Sequence, residues 1–250
     1  MANYECINVS QVADHVTLFE INRPAKRNAI SRQTALELQE AFAQFDQDAD
    51  QRVAVLTGAG NDAFSGGADI YDGPELWRCL PTIGIQTEKP IIAAVGGWCV
   101  GGALVIAMLS DLVVAADNAK FSYPEAKVGF MGGMISGLAG RLPHHFAMEV
   151  MLLGKTFDAH RGHAMGFVNE VVETGKQVDA AVAMASQIAG YAPLVVKTLK
   201  RFVNNHVLTR GPIETMQLHV QEMALIRESE DRKEGVAAFR ENRPPRFTGR

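Results

Sequence analysis

The stretch Lys89-Pro90-Ile91-Ile92-Ala93-Ala94-Val95-Gly96-Gly97-Trp98-Cys99-Val100-Gly101-Gly102-Ala103 decides how this chain is read. Ile91 to Val95 is wholly apolar, short and partly β-branched, the pattern of a strand buried on both faces. A glycine-rich turn follows, and the apolar residues beyond it predict a helix from about Gly102 to Leu109. Residues 90–108 are almost uniformly apolar, yet four glycines interrupt them and Asp111 follows closely. A membrane-spanning helix needs about 20 predominantly apolar residues in a row, so strand, turn and helix is the better reading.

The alternation extends in both directions. Val16 to Ile21 reads as a strand ending at the turn-prone Asn22-Arg23-Pro24. Ser31 suits an N-cap, and behind it Ala35, Leu38, Phe42 and Phe45 recur at the spacing of one helix face. Val53 to Thr57, closed by Gly58-Ala59-Gly60, and Leu112 to Ala115 are further strands. Buried strands alternating with helices predict an α/β class. Past about residue 140 the pattern is helical: Ala147 to Leu153, Val178 to Ala189, a helix opened by Pro193 at its first turn, and one whose stripe is Ile213, Met216, Val220 and Met223. Those methionines suit a core or a subunit interface. Pro244-Pro245 ends helical structure. The chain therefore reads as one α/β core with a helical C-terminal extension.

With 24 Lys and Arg against 28 Asp and Glu, the formal charge is −4, which gives no support to nucleic-acid binding. Cys6, Cys79 and Cys99 are too few and scattered for a disulfide framework or a zinc knuckle. They are expected as free thiols in a reducing, cytoplasmic compartment. Met1 to Ser10 has neither the basic nor the apolar part of a signal peptide. The seven histidines lack zincin spacing, and no metal, no membrane and no nucleic acid is expected as a partner.

Two glycine turns stand in strand-to-helix settings: Phe64-Ser65-Gly66-Gly67-Ala68-Asp69-Ile70, and Gly96 to Ala103. Glycine permits tight turns and close approach of a ligand to main-chain amides. Two such amides converging at helix starts would stabilise an oxyanion. Neither turn is a dinucleotide fingerprint or a P-loop, and no Gly-x-Ser-x-Gly elbow occurs.

In order, Asn22-Arg23-Pro24 with Asn28-Ala29, Phe64 to Ile70, Lys89 to Val95, Gly101-Gly102, Asp111, Phe121-Ser122-Tyr123-Pro124-Glu125, Gly166-Phe167-Val168-Asn169-Glu170-Val171-Val172 and Lys233-Glu234-Gly235-Val236-Ala237-Ala238-Phe239 resemble the crotonase (enoyl-CoA hydratase/isomerase) superfamily along essentially the whole chain. The resemblance implies a spiral of ββα units over residues 1–190 and a helical trimerisation region over residues 191–250. It also implies a homotrimer or dimer of trimers, and an acyl-CoA thioester as substrate, coenzyme A entering with it and no other cofactor. Carried over motif by motif, it implies an oxyanion hole from the amides of Ala68 and Gly102, with Glu125 as the catalytic carboxylate. Lys26, Arg27, Gly66, Asp69, Ile70, Gly133 and Phe239 would contact substrate or CoA, Phe239 from a neighbouring subunit. The position of a phosphate-contacting lysine is Asn242, with Arg243 beside it.

Hydratases of this superfamily use two glutamates, and the position of the first, six residues before Asp111, is Val105. A valine moves no proton. A single glutamate resembles the isomerase pattern, in which one base moves a proton from the α- to the γ-carbon. With Trp98-Cys99 it also resembles hydratase-lyases and decarboxylating members. Isomerase or lyase chemistry is therefore expected, with a hydratase using a displaced second acid, or a silent CoA-binding scaffold, as alternatives. Tyr71, Asp72, Tyr123 and Glu149 are candidate auxiliary groups. Local sequence alone would leave Glu125 solvent-facing or capping after its proline; the resemblance predicts a raised pKa among aliphatic neighbours. Residues 71–88 form a shorter segment than is usual in the superfamily, altering the acyl pocket wall. Met131, Met134 and Leu138 suit either an apolar lining or core packing. An RNA-binding role would need a basic first helix, whereas here Glu37, Glu40, Asp46 and Asp48 outweigh Arg32.

Overall fold

A computed structural model of the protein describes residues 4–130 and 132–250. In chain order it contains β1 (Ile7–Ala13), β2 (Val16–Ile21), α1 (Arg32–Gln47), β3 (Val53–Gly58), β4 (Ala63–Ser65), β5 (Ile91–Val95) and β6 (Trp98–Val100). There follow α2 (Gly102–Leu109), β7 (Leu112–Ala116), β8 (Lys120–Ser122), α3 (Glu125–Val128), α4 (His144–Leu153), β9 (Phe157–Asp158), α5 (Ala159–Ala164) and β10 (Glu170–Val172). Helices α6 (Gln177–Ala189), α7 (Pro193–Phe202), α8 (Pro212–Glu228) and α9 (Glu230–Arg240) complete the chain.

A structural repeat is present where no sequence repeat was visible. In β3–β4, β5–β6–α2 and β7–β8–α3 the first strand joins one sheet and the second strand another. The larger sheet has the order β1-β2-β3-β5-β7-β10, parallel except for β1. The smaller is β4-β6-β8-β9, parallel except for β9. This is the ββα spiral of the α/β class anticipated above.

Alternate side chains of a strand point to opposite faces, and both faces of the larger sheet are covered. Val53, Val55, Ile92, Ala94 and Val114 meet Ala181, Ala185 and Ala189 of α6. Ala54, Leu56, Ile91, Ala93 and Ala115 enter the main core with α1 and α2. The Ser31 hydroxyl accepts from the Thr34 amide at 3.1 Å to cap α1, whose Ala35, Leu38, Phe42 and Phe45 are all buried. At the other end of α1, the buried Lys89 ammonium donates to the carbonyls of Phe45 and Asp48. It satisfies acceptors that a helix C-terminus leaves open.

Between α6 and the helix that begins with α7 the chain bends by 106°. Helix α7 buries none of its residues and continues into a wider π-type turn, Val203–Val207. Lys200 ties it to the core by donating to Asp111 and to the Lys89 carbonyl, both at 2.7 Å. Arg141 and Glu214 pair side by side at 2.9 and 3.2 Å and hold α8 in place. Leu194, Leu199, Phe202, Val207 and Ile226 are left exposed. In the α8 stripe Ile213 and Val220 pack on the core, whereas Met216 and Met223 face outward. Helix α4 starts at His144, three residues before the expected Ala147, because Pro143 supplies the turn into it. Among the described residues no single helix is long and apolar enough to cross a membrane.

Candidate functional site

Strands β4, β6 and β8 are parallel neighbours, and each runs straight into a loop of interest. Ser65 leads to Gly66-Gly67-Ala68, Val100 to Gly101-Gly102, and Ser122 to Tyr123-Pro124-Glu125. Parallel pairing delivers the three loops to one edge, the carboxyl ends of the strands, where α/β sheets commonly bind ligands.

The first two loops touch. Gly67 has φ +90°, and a Cβ on it would stand 2.6 Å from the Val100 carbonyl oxygen and 3.4 Å from the Gly102 nitrogen. Only glycine permits this approach. The amides around Ala68 are committed: Gly66 N–H donates to the Arg27 carbonyl (2.8 Å), Gly67 N–H to the Ser65 hydroxyl (3.1 Å) and Asp69 N–H to the Ile30 carbonyl (2.8 Å). The Ala68 N–H finds no acceptor among the described residues. Gly102 is the first residue of α2, so its N–H has no intrahelical partner. Two donors lie together on touching loops, an arrangement able to stabilise charge gathering on one oxygen.

Glu125 opens α3 and is half-buried. Its Oε1 lies 2.7 Å from where a Cβ on Gly101 (φ +58°) would stand. Its Oε2 is buried without a hydrogen-bond partner among the described residues. Burial disfavours the charged form and pushes the pKa up to about 7. Tyr123 is buried, and burial followed by the nearby Glu125 charge raises its pKa to about 12, so it stays protonated near neutrality. Val105 is buried in α2 and brings no second carboxylate.

The other expected residues divide. Lys26 and Arg27 are exposed on the loop whose backbone pairs with Gly66. Asp69 is held by the Arg23 guanidinium at 3.2 Å and accepts from the Tyr71 amide at 3.1 Å, contacts that lower its pKa, the amide contributing most. Ile70 and Tyr71 point into solvent. Gly133 has φ +75° and packs under Ile213 of α8. Phe239 is 84% exposed on α9. Arg243 is engaged by Glu234 at 2.6 Å and by Glu241. Asp72 faces Arg32, and Glu149 is paired with Lys155 and Arg161. Met134 and Leu138 belong to the core instead of lining a pocket, and Met131 lies outside the described residues.

One neighbour escaped sequence reading. A Cβ on Gly102 would meet Leu76 Cδ2 at 2.6 Å, so this leucine packs against the turn. Only its place in the shortened segment hinted at it. Among the described residues no group of three or more His, Cys, Asp or Glu could hold a metal ion.

A half-buried carboxylate thus lies beside the glycine turn that carries the Gly102 amide, with the Ala68 loop touching that turn. The sequence model of the family described as "Enoyl-CoA hydratase/isomerase" matches residues 11–250, and the chain belongs to that family. It is 36% identical to the (E)-benzylidenesuccinyl-CoA hydratase of Thauera aromatica, over 96% of this chain and 98% of the other. It is 34% identical to the carnitinyl-CoA dehydratase of Escherichia coli K12, over 92% and 94%. Among solved structures it resembles an enoyl-CoA hydratase from Mycobacterium marinum (TM-score 0.74, 35% identity, 98% and 100% covered). A carnitinyl-CoA hydratase from Mycobacterium avium is similar (TM-score 0.77, 31% identity, 99% and 100% covered).

Proposed function

We propose that the protein forms an enolate from an acyl-CoA thioester, using Glu125 as its base and the amides of Ala68 and Gly102 as its oxyanion hole. The observation that carries this reading is the unpartnered Glu125 carboxylate set against the Gly101-Gly102 turn. Glu125 takes a proton from the α-carbon, and the electron pair of that C–H bond moves onto the thioester oxygen, held by the two N–H groups. Losing one such donor typically costs about 10²–10³ in rate. No cofactor is needed beyond the coenzyme A of the substrate.

With Val105 in place of a second acid, return of the same proton at the γ-carbon completes an isomerisation. In a lyase reaction Glu125 instead takes the proton of a β-hydroxyl, the bond between the α- and β-carbons breaks to leave an aldehyde and the thioester enolate, and the proton goes back to the α-carbon. The names of the relatives favour a second reading, hydration or dehydration. Glu125 would then pass the α-proton to the departing β-hydroxyl on the same face, releasing water with one carboxylate serving both transfers. Crotonyl-CoA, 3-hexenoyl-CoA and feruloyl-CoA, each incubated with the protein in deuterated water, separate these outcomes. Conversion of 3-hexenoyl-CoA to its 2-enoyl isomer, with the carried proton largely retained, supports isomerisation; water addition to crotonyl-CoA at ordinary turnover would overturn it in favour of the second reading.

The exposed apolar side chains of the C-terminal helices support residues 191–250 as an assembly region for a homotrimer or dimer of trimers. Such an assembly would bring Phe239 of one chain toward the CoA held by Lys26 and Arg27 of another.

A further inference from the structure

We infer that Leu76 is a specificity-determining residue that limits how far the acyl chain of the substrate extends beyond its α- and β-carbons. The inference rests on the enolate reading above and goes beyond it by naming what that site accepts. Two side chains bracket the Gly101-Gly102 turn: Glu125 Oε1 comes within 2.7 Å of the Cβ position on Gly101, and Leu76 Cδ2 within 2.6 Å of that on Gly102. A carbonyl oxygen bound by the Gly102 amide places its α-carbon beside Glu125. The chain beyond must then run along or past the leucine methyls.

Leu76 is held firmly. It begins the 3₁₀ turn Leu76–Cys79, whose other apolar members, Trp77 and Cys79, are buried, as are Leu80, Ile83 and Ile85 beyond it. Next along, the Arg78 guanidinium donates to Glu75 (2.9 Å), Glu228 (2.5 Å) and Gln39 (2.9 Å) and lies 4.6 Å from the Trp77 ring centre. The same turn is therefore fastened to α1 and to α8. Leu76 itself is only partly buried and packs on the core edge, so its isobutyl group is a fixed wall facing the site.

The test uses α-proton exchange, which needs only enolate formation. The full-length protein is incubated in deuterated water with butyryl-, hexanoyl-, octanoyl- and decanoyl-CoA, and deuterium uptake is read by mass spectrometry. Each buried methylene is worth about fourfold in affinity. Leu76→Ala should raise the decanoyl-to-butyryl exchange ratio by about tenfold or more, and Leu76→Phe should lower it. A merely structural role would depress all four substrates together and would not move the ratio in opposite directions. Exchange that persists with an unchanged ratio in both variants overturns the role of Leu76 alone. Absence of exchange by the wild type with every thioester overturns the enolate reading, and this inference with it.

Discussion

Glu125 Oε1 and the α-carbon of Gly101 are packed so closely that a single added methyl on the glycine would stand 2.7 Å from the carboxylate oxygen. The Glu125 carboxylate and the glycine turn are thus packed as one unit. Anything that moves either one would change the geometry of the proposed proton transfer.

Glu125→Gln should lower turnover by about 10²–10⁴, the usual contribution of a general acid or base, with product formation as the measure. A variant as active as the wild type would remove Glu125 from the mechanism. The pH profile of kcat/KM should rise through an apparent pKa near 7, because the base works only when ionised.

The same carboxyl makes stability depend on pH. Its folded pKa is about 7, above the ordinary 4.5, so the folded protein holds a proton that the unfolded chain releases. Its contribution to stability is complete below about pH 4.5 and is lost as pH rises toward 7. With one pKa unit worth about 1.4 kcal/mol, and partial exposure reducing the total, Glu125→Gln should be the more stable protein at pH 8 by about 2 kcal/mol. Urea titrations at pH 4.5 and pH 8 check this; a gap between the two proteins that stays the same at both values contradicts it.

Gly67→Ala combines a left-handed backbone angle with a methyl 2.6 Å from the Val100 carbonyl. Backbone cannot yield as a flexible side chain does. A loss of about 1–3 kcal/mol is expected, together with about 10²–10³ in rate as the Ala68 amide is displaced. Gly60→Ala also has positive φ but meets nothing within 4 Å, and should leave the rate unchanged.

Lys89→Met leaves the carbonyls of Phe45 and Asp48 without their donor. A buried unsatisfied group costs about 1–3 kcal/mol, so thermal or urea unfolding should show a loss of about 3 kcal/mol. The rate per folded molecule should hold, since Lys89 touches none of the three loops.

Leu199→Glu combined with Phe202→Glu places two charges on the exposed face of α7. Light scattering should show the wild type as a trimer or hexamer and the double variant as a single chain. A monomeric wild type would end the assembly proposal.

Ile91–Val95 and Gly102–Leu109 were legible because uninterrupted apolar runs bounded by glycine leave few alternatives, and both appear with the expected limits. β1 was not read: Ile7–Ala13 is mostly exposed, and its pairing with β2 comes from the hairpin instead of from its own pattern. The three-residue strands β4 and β8 are too short to show a period, although they carry the loops of the site. The local reading of Glu125 as solvent-facing fails because its burial comes from a turn 24 residues earlier, at Gly101. Met134 and Leu138 could not be divided between pocket and core by composition, since both environments select the same side chains.

Adjacent strands lie about 4.8 Å apart, and two nitrogens separated by that step, each about 2.9 Å from a shared oxygen, subtend there about 110°. β4 and β6 are such neighbours, and the amides of Ala68 and Gly102 lie just beyond their ends. The proposed oxyanion hole thereby draws its two donors from loops that the pitch of one sheet sets side by side. Side chains around the site can be exchanged to suit new molecules while this ruler stays the same length.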